Sequence, residues 1–355
     1  MAIKTRKFII PALIAVLFVL ALAVILAQAA DKAGQPEDQT MFKGQDYFDK
    51  GMYDEAIRKF DLEVREAPQD AELFFNRGAT YAAKGDLDKA ILDYNKAIWL
   101  LARVYFERGV AYSRKGEMGQ ALSDFNKSLD IDPSSADAYL NRGLIRARDG
   151  YRSLAIYDFS KAIALKPDSV DAYLNRAVLN VLEKNNRKAI EDFSKAIELK
   201  PKLVDAYISR GELYAQDDDF ENAISDFSMA IKNSPKLASA YQNRSAIYAK
   251  RGRLDEALAD ATKVIELEPR SSNAYATRGF LYGQVSKYKE AVDDFTKALE
   301  INKQFVRIYP NRAIAYFYLK DYKDSWKDVH EAEKYGFQLQ TDFLNILKKE
   351  SRRDK

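Results

Sequence analysis

The stretch VDAYLNRAVLNVLEKNNRKAIEDFSKAIELKPKL, residues 170–203, decides the fold. In its first half Tyr173 and Ala177 recur at helical spacing, and in its second half Ala189, Phe193, Ala196 and Ile197 do. Side chains three and four residues apart share one face of an α-helix, so each half predicts an amphipathic helix. Pro201 marks the turn that follows, where a missing N–H is harmless because a helix start leaves that group unpaired. One such pair of helices cannot cover both of its apolar faces, so it must stack on others like it.

The same phrases recur along the chain. Asn175-Arg176-Ala177 returns as Asn76-Arg77-Gly78, Glu107-Arg108-Gly109, Asn141-Arg142-Gly143, Ser209-Arg210-Gly211, Asn243-Arg244-Ser245, Thr277-Arg278-Gly279 and Asn311-Arg312-Ala313. From Arg108 to Arg312 every interval is 34 residues. Gly85, Gly116, Gly150 and Gly252 mark the turn inside a repeat, and Pro68, Pro133, Pro167, Pro201, Pro235 and Pro269 the turn between repeats. Small residues (Gly143 or Ala177 on the first helix, Ala155 or Ala189 on the second) allow close contact, and a ring such as Tyr139 or Phe159 fills the space beside them.

This pattern resembles the tetratricopeptide repeat family over residues 37–339. The resemblance implies an all-α, right-handed superhelical solenoid of about nine helix-turn-helix repeats: 37–70, 71–101, 102–135, 136–169, 170–203, 204–237, 238–271, 272–305 and 306–339. Departures are local. Arg146 and Asn180 replace a tyrosine late in the first helix, and Ala261 and Val329 replace the second-helix ring. Residues 340–355, with Phe343, Leu344 and Leu347, read as a capping helix over the last apolar face, ending in a charged tail.

The regular spacing fails once. Arg77 and Arg108 lie only 31 residues apart, and alignment places the loss in the turn near Leu101, proline included. Without that breaker the second helix of repeat two is expected to run on into the first helix of repeat three, or to kink near Leu100–Arg103. Three residues are about 300° of helical rotation, so regular stacking is not expected there. Such a defect is either a functional bend or a tolerated deletion.

Before the repeats, Lys4, Arg6 and Lys7 precede an uncharged apolar run from Phe8 to Ala27, and Ala27 and Ala29 fit a cleavage site. Residues 1–29 therefore read as a cleaved export signal or a retained membrane anchor through residues 8–27, with 30–36 as a linker. Either way the repeats are expected outside the cytoplasm, periplasmic in a bacterial-type envelope and, if uncleaved, anchored in the inner membrane.

Composition narrows the partners. The chain has 56 basic and 53 acidic side chains, three of the basic ones within the first seven residues, so the remainder is balanced. A balanced chain offers no long-range field for phosphate backbone, and nucleic acid is not expected. The absence of cysteine excludes disulfides and thiolate metal sites. The single histidine, His330, lies among charged residues, and Asp217-Asp218-Asp219 reads as a solvated turn without calcium-loop spacing. No phosphate-binding glycine motif occurs. No enzyme, cofactor or metal is expected.

Two constellations remain. Each repeated arginine has an aspartate sixteen residues on, as in Arg142 with Asp158 and Arg176 with Asp192, which predicts structural ion pairs between helices. Asn76, Asn141, Asn175, Asn243 and Asn311 occupy one first-helix position. In the family first helices line a concave groove, so the resemblance implies amide rungs similar to the asparagine ladders of some members. An amide donates and accepts, so it can hold an extended peptide or simply bond a neighbouring helix. Phe75, Phe106, Leu140, Leu174 and Ile208, one residue earlier, make an apolar floor or pack between helices; Ala79, Val110, Leu144 and Val178 follow a turn later. The family's carboxylate clamp does not carry over, because its lysine and asparagine fall at Met41 and Gln45. The expected function is a scaffold capturing an extended protein segment; the alternative is a structural protein that self-associates through its ends or convex surface.

Overall fold

The computed structural model describes residues 43–351, so residues 1–29, read above as an export signal or anchor, the expected linker 30–36, Met41 and the tail beyond Ser351 lie outside the described residues. Among the described residues all regular structure is helical, and helix pairs follow one another from Gly44 to the last helix, Thr341–Ser351. Two compact units divide the chain, residues 1–100 and 101–355.

In the first unit the helices Tyr53–Glu66 and Ala71–Lys84 lead to the long helix that begins at Leu87. Val64, Phe74, Ala97 and Leu100 form a core between them. Asp70 caps the second of these helices by accepting the Glu72 amide hydrogen.

The second unit carries the regular repeats. In repeat five, Val170–Leu182 and Asn186–Leu199 pair, and Pro201 sits in the turn before Val204. Ala177, Ala189 and Phe193 join Ala206 and Tyr207 of repeat six in one apolar cluster, so each repeat's core is completed by the next. Close approach is enforced by size. A Cβ on Gly143 would lie 2.7 Å from a ring carbon of Phe159, whereas repeat seven puts Ser245 against the small Ala261 and sends its hydroxyl to the Ala257 carbonyl. The final helix packs Leu347 against Trp326, Val329 and Ala313 and ends the solenoid, as a cap over an unpaired apolar face should.

The turn inside each repeat needs a left-handed residue. Gly51, Gly85, Gly116, Gly150 and Gly252 occupy it, and so do Lys184, Asp218, Ser286 and Lys320, all with positive φ. Non-glycine residues are disfavoured there by roughly 1–2 kcal/mol, a cost the stacked helices absorb. This is why glycine does not mark every one of these turns. Asp217-Asp218-Asp219 is one of them, and Asp219 caps the following helix through the Asn222 amide.

At the short interval the helix does run on. Leu87–Lys115 is one 29-residue α-helix. Nothing in its sequence interrupts it, because the missing residues were the breaker.

Candidate functional site

Each repeated arginine holds its aspartate through two parallel hydrogen bonds. Arg176 donates from Nε and Nη2 to the Asp192 carboxylate at 2.9 and 2.6 Å, and Arg142 grips Asp158 in the same way. Asp158 is fully buried and receives a second guanidinium from Arg146 at 2.8 Å. Asn180 likewise turns to Asp192. The two residues that depart from the repeat's tyrosine therefore serve the same carboxylates. Where tyrosine is kept, at Tyr214, Tyr248, Tyr282 and Tyr316, the guanidinium lies beside its ring.

The third arginine nitrogen does something the sequence reading did not foresee. Nη1 reaches back sixteen residues, to the second helix of the preceding repeat. Its partners are Asp61 for Arg77, Asn126 for Arg142, Ser160 for Arg176, Ser194 for Arg210, Ser228 for Arg244, Thr262 for Arg278 and Thr296 for Arg312. The guanidinium is therefore a staple between repeats as well as within them. Ser160, Ser194 and Ser228 pass a hydrogen bond on to a helix carbonyl, which orients their oxygens toward the arginine. The signal was legible, since a hydrogen-bonding residue recurs at each of these positions.

The asparagines lie half-buried on first helices. Asn141 and Asn175 each donate one amide hydrogen to their own helix, at the Asp137 and Asp171 carbonyls, both at 2.8 Å. Asn243 donates to the Glu212 carboxylate at 3.0 Å. Each amide keeps a second N–H and its oxygen for another partner. In the second unit the row Asn141, Asn175, Ser209, Asn243, Thr277 and Asn311 is polar throughout. Asn76 belongs to the first unit.

The apolar positions divide. Phe75, Phe106, Leu140, Leu174 and Ile208 are half-buried and pack against core clusters. One turn later the side chains stand open: Leu144, Val178, Phe280 and Ile314 are 37–50 % exposed. Glu212 and Ala246 occupy this position in repeats six and seven. Phe280 and Ile314 belong to this line and were missed, though they sit at the same repeat position as Leu144 and Val178. His330 is exposed and stacks on Trp326.

Known families and structures can be set against this geometry. Family models described as tetratricopeptide repeat match residues 71–101, 184–238, 238–271 and 272–305, and one described as TPR repeat matches 109–150. The chain belongs to the tetratricopeptide repeat family. Similar solved structures include YrrB, described as a TPR protein with an unusual peptide-binding site, at 21% identity and a TM-score of 0.47 over 51% of this chain and 93% of that one. MamA is 27% identical, with a TM-score of 0.43 over 45% of this chain and 94% of that one. A tetratricopeptide repeat protein from Parabacteroides merdae ATCC 43184 is 21% identical, with a TM-score of 0.47 over 71% and 99%. No curated protein matches the chain.

Proposed function

We propose that the protein is a scaffold whose first-helix face captures an extended segment of another protein. The observation that carries this reading is the line of exposed apolar side chains, Leu144, Val178, Phe280 and Ile314, beside a polar row with unused amide groups. An extended peptide presents both N–H and C=O groups and alternating side chains, which suit amide rungs and an apolar line respectively. Each neutral hydrogen bond contributes about 0.5–1.5 kcal/mol net, so the rungs orient the segment and apolar anchors must supply much of the affinity. The location that goes with this reading is the cell envelope, outside the cytoplasm. Lys4, Arg6, Lys7 and the apolar run from Phe8 to Ala27 are its support.

The test is photo-crosslinking in native envelopes with a photoreactive residue at Val178, which is more exposed than Leu174. A partner captured reproducibly, and lost when all five asparagines become alanine, is the expected result. Self-crosslinks unchanged by those five substitutions would sink the groove reading and favour self-association.

A further inference from the structure

Repeat nine starts unlike its neighbours. In repeats four to eight the first helix begins six residues before the arginine, at Ala136, Val170, Val204, Ala238 and Ser272. The equivalent residue in repeat nine is Val306, yet Val306–Ile308 is a 3-10 turn and the α-helix begins only at Tyr309. Pro310 is the cause. It would be the fifth residue of a regular helix, where it lacks the N–H for the carbonyl four residues back and its ring crowds that carbonyl.

The displaced turn leaves a cavity of about 340 Å³ against the first helix of repeat eight. The crevice one repeat earlier, beside Ser245 and Ala261, holds only about 10 Å³, room for a single water. Phe280, Phe305 and the buried Ile308 give the larger cavity apolar walls. Thr277, at the rung position, and Asn273 supply polar edges. Arg307 also lines it, fixed on two sides: Nη2 donates to the Asn273 side-chain oxygen at 2.9 Å, and the guanidinium carbon lies 4.5 Å from the centre of the Phe305 ring. Both neighbours are neutral, and among the described residues no carboxylate pairs with this cation. A guanidinium held in place by neutral groups at the edge of an apolar cavity is a preorganised receptor for a carboxylate.

We infer that this cavity is the specificity subsite of the first-helix face, taking a large apolar side chain from a partner segment whose adjacent residue is Asp or Glu, held by Arg307. The inference rests on the peptide-capture reading above. Its volume suits an aromatic or leucine side chain, and its one unneutralised charge selects the acid. The acid is internal to the segment, because groove positions continue on either side, with Asn243 before the cavity and Asn311 and Ile314 after it.

The test uses the full chain and fluorescence anisotropy with fluorescein-labelled, carboxamide-ended nonapeptides of Ser and Ala carrying a central Asp-Phe or Phe-Asp pair. One of these should bind about tenfold or more tighter than its Asn counterpart, and tighter than a peptide with Ala in place of Phe. Arg307→Gln should erase the preference for Asp. Pro310→Ala should let the helix start a turn earlier, close the cavity and remove the preference for Phe, with a melting temperature held or raised. Equal affinity for the Asp and Asn peptides, an Asp preference that survives Arg307→Gln, or failure of every peptide to bind would overturn the subsite. So would tighter binding of a peptide ending in Phe with a free carboxylate, since the acid would then be terminal. Capture at Val178 is independent of these peptides, so the groove reading can stand when the subsite falls.

Discussion

The regular joints of the second unit and the fused helix Leu87–Lys115 are built from the same repeat with and without three residues. In the regular repeats the arginine side chain is 12–23 % exposed; Arg108 is 52 % exposed. The residue four before the arginine is Ala138, Ala172, Ala206, Ala240 or Ala274, 0–6 % exposed, while Val104 at the same position is 58 % exposed. Arg108 keeps its aspartate at 2.6 Å. The repeat's equivalent of Ser160 and Ser194, however, is Asn95, the residue after the Tyr94 ring, which lies thirteen residues before Arg108 instead of sixteen. The pair within a repeat thus depends on the repeat alone, whereas the staple to the preceding repeat depends on a turn that folds the chain back. A proline turn of a few residues sets the register in which each guanidinium meets its third partner.

The largest effect that tests this contrast is loss of a buried arginine. Arg210→Ala leaves the buried Asp226 without its cation and strips Ser194 of a donor, and should cost about 3–5 kcal/mol in urea unfolding. Arg108→Ala, at a solvent-screened, half-exposed pair, should cost far less. Equal costs would break the comparison. A smaller effect is expected from inserting Ser-Pro-Lys between Leu100 and Leu101, which restores the 34-residue interval. A proline inside an uninterrupted helix costs about 3 kcal/mol or more. With the register restored the loss should be well below that, and hydrogen exchange should show a new helix end near residue 100. A loss of the full amount would mean that the continuous helix is itself required.

The smallest effect is electrostatic. At the exposed joint the Arg108 guanidinium holds the Asp124 carboxyl below its ordinary value. In the last repeat burial pushes Asp328 up despite Arg312. As pH falls, Asp328 should protonate first and Asp124 later in a carboxyl-carbon NMR titration. The sign for stability is opposite at the two sites. The Asp124 contribution is present above the unfolded aspartate value and lost as pH falls through its lower folded value. The raised value of Asp328 makes its contribution favourable at acid pH and weaker once pH passes its folded value. Titration in the reverse order would show that burial does not separate the two joints.

Much of this was legible before any coordinates. The paired helices, the partnership of Arg142 with Asp158, the closing helix around Leu347 and the missing turn at Leu101 were all readable in the chain, although spacing left either a run-on helix or a kink open there. Spacing along a chain fixes which side chains share a helix face. The open line was only half legible: Leu144 and Val178 stood out as apolar, but Phe280 and Ile314 were passed over with them in register. Leu140 and Leu174, one position before the rungs, could face a ligand or a neighbour, and period alone does not choose between these.

By itself the sequence determined the repeat, its helices, their ion pairs and the single place where the turn is missing, because each is a local or periodic property of the chain. Only the tertiary structure decided that the arginines staple successive repeats, that Leu174 packs while Val178 stays open, and that Pro310 opens a cavity beside Arg307. Those outcomes depend on which surface of one helix meets which surface of the next. That is settled by packing between residues far apart in sequence, where a helix that starts one turn late changes what its neighbour can cover.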